Sequence, residues 1–353
     1  MTQKPAPAPL KPPASGALAV YFRSLAALFE AGVPLNRALQ LLGRQGEDRR
    51  MAAIAARMAE QIDGGVMLSA AMAQQRLAFS LLHTRMVQIG ERTGSLGLIL
   101  GRMADYEEKR QRTTLKVRSA LTYPAFLAVL ATAMLVFVPP FLFQGLFTML
   151  ETSGVDLPLI TRVVLGCSRF VRTPVFWVLL ASVVAGAIYL LPRMLQVDRV
   201  RRRLADLLLS LPAVQRAVRL VAVTRFSRAM ALQLHVGENM LGAMALSSEA
   251  SANPVLVEAS RRSTAALKDG ATLVQALEVS HFFPRAYLHV LKAGEEAGRL
   301  PFMMTKITDM YEAELDQALD MYTALLEPLV MLVMGIIVGG VVVATMLPMM
   351  QLL

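Results

Sequence analysis

The chain has 353 residues, of which 55% are hydrophobic, and its mean hydropathy is +0.49. These values are too apolar for an ordinary soluble domain and indicate a membrane protein. The formal net charge of +10 suits either nucleic acid or the anionic cytoplasmic face of a membrane, so the positions of the charges decide between them. The single cysteine, Cys167, excludes an intramolecular disulfide and a cysteine-based zinc site.

The N-terminal residues, 1–16, are rich in proline and alanine and contain no apolar stretch typical of a signal peptide. This composition predicts a disordered tail. Glycine and proline then divide the chain into segments with apolar residues at helical spacing. The predicted helices are Leu18–Glu30, Leu35–Leu42, Arg50–Gln61, Leu68–Gln75, Leu81–Ile89 and Leu96–Thr122.

Three uncharged apolar runs lie further along the chain, at 125–147, 175–191 and 329–347. Each is close to the ~20 residues that a helix needs to cross a bilayer, and the second is the shortest. Pro139 and Pro140 predict a kink in the first run or an early exit from it. We therefore expect three transmembrane helices.

Two strongly basic segments flank these runs, while the loop at 149–174 has three arginines against Glu151 and Asp156. Arg102 to Arg118 precede the first run and Arg193 to Arg203 follow the second, whereas the tail after Pro348 is uncharged. By the positive-inside rule, the two long intervening segments face the cytoplasm. The predicted organisation is a tail at 1–16, cytoplasmic helical bundles at 17–123 and 192–327, transmembrane helices at 124–147, 175–191 and 328–348, a periplasmic loop at 148–174 and a periplasmic C-terminus at 349–353.

An internal repeat relates the two bundles. Residues 21–72 match residues 226–277 at an offset of 205, and the match continues at an offset of 204 after one residue is lost from the second copy. Each copy ends in a proline followed by an apolar run. Two copies with one orientation require an additional span between them, so the repeat supports the topology independently of the charges. The predicted fold is an all-α membrane protein with two homologous cytoplasmic bundles of about six helices each and three transmembrane helices.

The most distinctive repeated motif is GERTGSL at 90–96 and GEEAGRL at 294–300. Both resemble the GExxGxL signature of the type II secretion system F family, the inner-membrane proteins of type II secretion, type IV pili and related archaeal filaments. LFEAGVPLNRAL at 28–39 resembles the family's early LxAGxPLxxAL stretch. The residues that resemble the family's closing EP…G…G…LP pattern are Glu327, Pro328, Gly335, Gly339, Leu347 and Pro348.

The resemblance implies a membrane platform at the base of a filament. Such a platform contacts a cytoplasmic assembly ATPase and other inner-membrane assembly proteins, and it couples the ATPase to insertion and extraction of pilin or pseudopilin subunits. We expect a homo-oligomer in the bacterial inner membrane. Larger members carry an additional N-terminal segment, so the resemblance is to the shorter type IVb or conjugative-pilus branch. One segment and one residue depart from these patterns. The segment Val236-Gly237-Glu238-Asn239 stands where the family has AGxP, and Tyr123 in the first repeat stands at the position that Glu327 occupies in the second.

The motif residues have structural interpretations beside functional ones. Gly90, Glu91 and Gly94 either contact a partner or form a turn in which glycine supplies backbone freedom and the glutamate caps the next helix. Glu327 either contacts a subunit or is hydrated among the lipid headgroups. The candidates for partner contact are Gly90, Glu91, Gly94, Gly294, Glu295, Gly298, Glu327 and Pro328, and those for transmembrane packing, in a GxxxG, are Gly335 and Gly339.

No catalytic pattern is present in the sequence. It contains no P-loop, GxSxG or HExxH, and its four histidines, assigned to the surface or the bundles, are not clustered with carboxylates. We therefore expect no catalysis, no cofactor and no metal.

Two other functions remain open. An oligomeric transporter or channel is opposed by the absence of charged residues within the apolar runs. Nucleic-acid binding is suggested by the segment 227–246, which could imitate a helix-turn-helix, but the same unit recurs at 22–42. We expect no nucleic-acid partner.

Overall fold

The part of the chain that the structure describes is helical. The structure, a computed structural model, describes residues 16–142, 170, 173–178, 182, 186 and 212–351. The first repeat contains α1 (Ala17–Glu30), α2 (Leu35–Gln45), α3 (Arg49–Asp63), α4 (Leu68–Ala73), α5 (Leu81–Thr93) and α6 (Leu96–Leu142). The second contains α7 (Pro212–His235), α8 (Met240–Ala250), α9 (Pro254–Lys268), α10 (Leu273–Val279), α11 (Arg285–Glu296) and α12 (Leu300–Gln351). The all-helical class is confirmed for these residues.

One pair of equivalent helices, α3 and α9, begins with the same kind of side-chain cap. The Asp48 carboxylate accepts hydrogen bonds from the backbone N–H groups of Arg50 and Met51 and begins α3. Asn253, which stands 205 residues later, begins α9 in the same way. A short polar side chain at this position satisfies N–H groups that have no partner within the helix, so the repeat preserves a helix start as well as an apolar pattern.

The helices form two compact units. The first comprises Met1–Leu115 and Leu204–Asp316 and therefore holds both bundles, and the second comprises Lys116–Arg203 and Gln317–Leu353. Inside the first unit, large side chains that are almost fully buried form the core of each bundle. They include Phe22, Leu39, Met58, Met86 and Leu100 in the first repeat and Phe226, Met244, Leu277, Tyr287 and Leu291 in the second.

In the second unit, the ends of α6 and α12 expose large apolar side chains. Val129 is 69% exposed on α6, and Ile336 is 67% exposed on α12. Among the described residues, α12 is the one helix with the length and hydropathy of a membrane crossing, and its apolar window is not buried. The predicted runs at 125–147 and 175–191 lie partly outside the described residues. The predicted tail at 1–16 also lies outside them, apart from Gly16.

Four helices of the first repeat end at other residues than predicted. Helix α2 continues past Leu42 to Gln45, α3 continues past Gln61 to Asp63, and α4 ends at Ala73, before Gln75. Helix α5 does not end at Ile89 but continues through Gly90 to Thr93, because Gly94 is the residue that adopts the left-handed conformation. Helix α6 includes Pro139 and Pro140 and is described as far as Leu142, so the kink or early exit at these prolines stays a prediction. Proline removes one backbone hydrogen bond, and apolar helices tolerate this loss.

Candidate functional site

Glu91 and Glu295 lie near the ends of α5 and α11, and each carboxylate reaches the first turn of the short helix that precedes it. Oε1 of Glu91 accepts a hydrogen bond from the backbone N–H of Ser69 at 3.2 Å, and Oε2 accepts one from the Ser69 hydroxyl. Glu295 accepts hydrogen bonds from the N–H groups of Leu273 at 2.7 Å and Val274 at 3.3 Å. Both glutamates therefore cap the positive ends of short helices, α4 and α10.

The capped helix is not the one that the sequence suggested. The expected partner of Glu91 was the helix after the motif, whereas its carboxylate bonds to α4, which comes before it. The reason is tertiary: α4 packs on α5, so the start of α4 lies beside the last turns of α5. Glu295 has the same relation to α10.

The two glycines of each motif have different roles. A Cβ on Gly90 would lie 2.9 Å from Cγ1 of Ile99, and a Cβ on Gly294 would lie 2.5 Å from Cβ of Met303. These first glycines are helical and allow the next helix to approach closely. The second glycines, Gly94 and Gly298, have φ values of 68° and 66°, in the region that favours glycine. Of the four motif glycines, only Gly94 and Gly298 adopt the backbone conformation for which glycine was predicted to be needed.

An arginine–glutamate pair that the sequence analysis did not assign joins the first and last helices of each bundle. Nε of Arg23 donates to Glu108 at 2.6 Å, and Nε of Arg228 donates to Glu312 at 2.9 Å. These residues are equivalent at offsets of 205 and 204. Their recurrence as opposite charges in both copies was the signal that could have revealed the pair.

The second nitrogen of each arginine has a different partner in each repeat. Nη2 of Arg23 donates to Asp105 of its own bundle at 2.6 Å, whereas Nη2 of Arg228 donates to Thr113 of the first repeat at 2.9 Å. The Arg228 side chain is 6% exposed and that of Arg23 is 47% exposed. Arg228 therefore lies in a contact between the two repeats.

Ionic and apolar contacts complete this junction. Nζ of Lys109 on α6 lies 3.0 Å from Asp309 and 3.4 Å from Glu312 on α12. Tyr106 and Leu232 line a cleft of about 200 Å³ between the repeats. Helix α8 packs on α5, and the apolar core of the first repeat includes residues of the second, namely Ala229, Leu232 and Leu246. The α7–α8 surface of one repeat is thus seated on the α5–α6 surface of the other.

A buried polar pair lies in the first bundle. The backbone N–H of Ser80 donates to Nδ1 of His83 at 3.0 Å, so Nε2 carries the proton that His83 donates to Glu107 at 2.9 Å. Arg110 donates to the same carboxylate at 2.9 Å. Burial alone would raise the pKa of Glu107, but the hydrogen bond from His83 and the charge of Arg110 hold that pKa below its ordinary value.

The remaining predicted residues lie in α12. Glu327 and Pro328 fall within this helix, and Gly335 and Gly339 are exposed, with no atom of the described chain within 4 Å of a Cβ on either. Of the motif residues, Gly90 and Gly294 are thus buried, Glu91 and Glu295 are half-buried, and Gly94 and Gly298 are exposed. Within the described part of the chain, the GxxxG glycines have no packing partner. Among the described residues, no group of three or more His, Cys, Asp or Glu side chains is placed to hold a metal ion.

Two copies of one helical bundle, each with an internal glutamate cap and each continued by a helix with an exposed apolar end, define a repeat-built helical scaffold. The family model of the type II secretion system protein F matches this chain twice, at residues 21–142 and at residues 226–348. The chain belongs to the type II secretion system protein F family, as the resemblance predicted.

Relatives in this family come from two kinds of machine. The type IV pilus assembly protein PilC of Thermus thermophilus is 33% identical over 95% of this chain and 82% of its own length. The type II secretion system protein F of Pseudomonas aeruginosa is 31% identical over 95% and 82%. The PilC protein of the same species is 30% identical over 95% and 89%. Identity to the two kinds is therefore similar.

Proposed function

We propose that the chain is a non-catalytic platform protein of the bacterial inner membrane that serves a type IV pilus or a type II secretion machine. It couples a cytoplasmic assembly ATPase to the insertion and extraction of pilin or pseudopilin subunits, together with other inner-membrane assembly proteins. The observation that carries this proposal is the double family match at 21–142 and 226–348, together with relatives named for both machines that align over 95% of the chain.

The exposed surface of α12 supports a membrane location. Met331, Leu332, Ile336 and Met346 are each more than 60% exposed. A helix with so much exposed apolar surface is unfavourable in water and favourable in lipid. With the apolar runs at 125–147 and 175–191, this argues for three spans and two cytoplasmic bundles.

The motif residues act on partners indirectly in this proposal. Because the carboxylates of Glu91 and Glu295 cap internal helices, they fix the shape of each bundle, and its outer faces contact the ATPase. Gly335 and Gly339 are available for close packing with another apolar helix. Glu327 contacts a subunit at the mouth of its span.

The geometry of segment 227–246 argues against nucleic-acid binding. Its arginine, Arg228, is 6% exposed and donates to Glu312, and its neighbour Ala229 is fully buried. A DNA-reading helix needs an exposed face that can enter a groove.

Deletion of the gene in the native host tests the proposal. We expect loss of surface filaments or of secreted substrates while the pilin subunits remain in the inner membrane, and the tagged full-length chain should retain an assembly ATPase after mild cross-linking. Normal filaments and normal secretion in the deletion strain would contradict it. Glu327→Ala, at unchanged protein abundance, tests the subunit contact, with Glu314→Ala on the same helix as control.

A further inference from the structure

We propose that copies of this chain associate head to tail, so that the second repeat of one copy docks on the α1–α3 groove of the first repeat of another. The junction within the chain supplies the template. The head face is defined by Arg228, Ala229, Leu232 and Leu246 in the second repeat and by their equivalents in the first. The tail face is defined by Tyr106, Lys109 and Thr113 in the first repeat and by their equivalents in the second.

The internal junction joins two different faces of two homologous units. The head face of the second repeat is seated on the tail face of the first: Arg228 donates to Thr113, and Leu232 lines the same cleft as Tyr106. A contact between unlike faces is heterologous and uses one face of each unit. Each chain therefore keeps one unused head face on its first repeat and one unused tail face on its second.

The unused head face is open, and it places exposed apolar residues beside the half-exposed Arg23. Ala27, the equivalent of Leu232, is exposed, whereas Leu232 is 8% exposed. Val20, the equivalent of Arg225, is 52% exposed. Beside them lies a groove of about 760 Å³ between α1, α2 and the start of α3. Tyr21 lines part of this groove, but its side chain is 4% exposed, so the floor of the groove is closed there.

The unused tail face is similarly uncovered. Met310, the equivalent of Tyr106, is 46% exposed, whereas Tyr106 is 7% exposed. Ala313 stands at the position of Lys109, so the ion pairs of Lys109 with Asp309 and Glu312 have no counterpart between copies. The contact between copies therefore lacks these two ion pairs, and it is weaker than the contact within one copy.

A heterologous contact continues from copy to copy. If its rotation closes, the product is a ring, and otherwise it is an open chain of subunits. An isologous dimer would instead use the same face twice and stop at two copies. The kind of contact between copies goes beyond the proposed function. Cross-linking measures it directly, without any assay of filament assembly or secretion.

Cysteine cross-linking of the full chain in membranes tests the proposal. In a Cys167→Ser background, Ala27→Cys places a thiol on the unused head face and Met310→Cys places one on the unused tail face. Both residues are exposed, so neither change disturbs a core. With a short bis-maleimide, the chain carrying both cysteines should give a ladder of dimers and higher oligomers. Co-expressed single variants should give dimers only, and each single variant alone should give none.

The control pairs Met310→Cys with Leu77→Cys, because Leu77 is 56% exposed in the first repeat and does not line the groove. Val20→Glu in the double-cysteine chain should abolish the ladder by placing a charge at the groove. A dimer from either single variant alone overturns the proposal in favour of an isologous contact. A double-cysteine chain that cross-links no more than the Leu77 control overturns it outright.

Discussion

The two repeats share two pairs of helix caps, Asp48 with Asn253 and Glu91 with Glu295, and they differ at the centre of the bundle and on their head faces. At equivalent positions, the first repeat has the hydrogen-bonded pair His83 and Glu107, and the second has Tyr287 and Tyr311, whose ring centroids are 5.5 Å apart. In the second repeat, Ser227 shares a hydrogen bond with the Tyr287 hydroxyl, and the first repeat has Phe22 at that position. The comparison shows that the two shared caps are kept, whereas the core accepts either a polar or an aromatic pair at the same place.

The polar pair should make the first repeat the more fragile one. We expect Glu107→Ala to cost about 1–3 kcal/mol, because it leaves the buried N–H of His83 without its acceptor, whereas Arg110 is half exposed and can be hydrated. Hydrogen exchange of α5 in the full chain in detergent measures this loss as faster opening. Glu108→Ala is the matched control, since its exposed pair with Arg23 is worth about 0–1 kcal/mol. Equal effects of the two changes would contradict the comparison.

The same carboxylate should make the first repeat sensitive to acid. The folded-state pKa of Glu107 is lowered from its ordinary value of 4.5. A carboxylate with a depressed pKa stabilises the fold above the ordinary value, and this stabilisation is lost as the pH falls through the folded value. Circular-dichroism melting should show an acid loss that is smaller in Glu107→Gln. A pH dependence that this variant leaves unchanged would assign the loss to other groups.

The first glycines of the two motifs should differ in the cost of a side chain. We expect Gly294→Ala and Gly90→Ala to cost about 1–3 kcal/mol, with the larger cost at Gly294, where the added carbon lies 2.5 Å from Met303. Thermal unfolding of the full chain measures both. Gly335→Ala provides the control, because it is a helical glycine with open space around it and should be neutral or stabilising by up to ~1 kcal/mol. The reverse order would show that Met303 moves aside easily.

The two glutamate caps should be nearly interchangeable. We expect Glu91→Ala and Glu295→Ala to cost about 0.5–2 kcal/mol each, the usual range for a lost helix cap. Each carboxylate accepts two hydrogen bonds, Glu91 from the N–H and the hydroxyl of Ser69 and Glu295 from two N–H groups, so the two costs should be close. Exchange rates of α4 and α10 amides report each cap separately. A loss confined to one repeat would break the equivalence.

The ion pairs at the junction should have the smallest effect. Lys109→Ala removes contacts at 3.0 Å and 3.4 Å, but its side chain is 42% exposed, so we expect a cost of about 0–1 kcal/mol that salt reduces. Exchange of Tyr106 and Thr113 amides at low and high salt measures it. The control is Lys306→Ala, which removes a lysine of the second repeat at the position equivalent to Arg102. It should have no effect on these amides.

Local signals were predictable from the sequence, and contacts between distant segments were not. Gly94 and Gly298 each mark a turn, and that turn occurs. Gly90 was predicted to supply backbone freedom at a turn. It is instead helical, and a glycine is needed there because a side chain would clash with Ile99 on another helix. The partnership of His83 with Glu107, which are 24 residues apart, depends on how α5 meets α6. Nothing in the letters distinguishes Arg23 from Arg228, although one is half exposed and the other is buried.

The two arginines have a consequence for reading aligned sequences of this family. In one copy the guanidinium holds two carboxylates of its own bundle, and in the other it holds one carboxylate and a hydroxyl from the neighbouring bundle. A replacement of Arg23 affects contacts within one bundle, whereas a replacement of Arg228 affects contacts in two bundles. Covariation should therefore link position 228 to 113 and 312, and position 23 to 105 and 108. An alignment that superposed the two copies as one column would merge these signals and hide the junction.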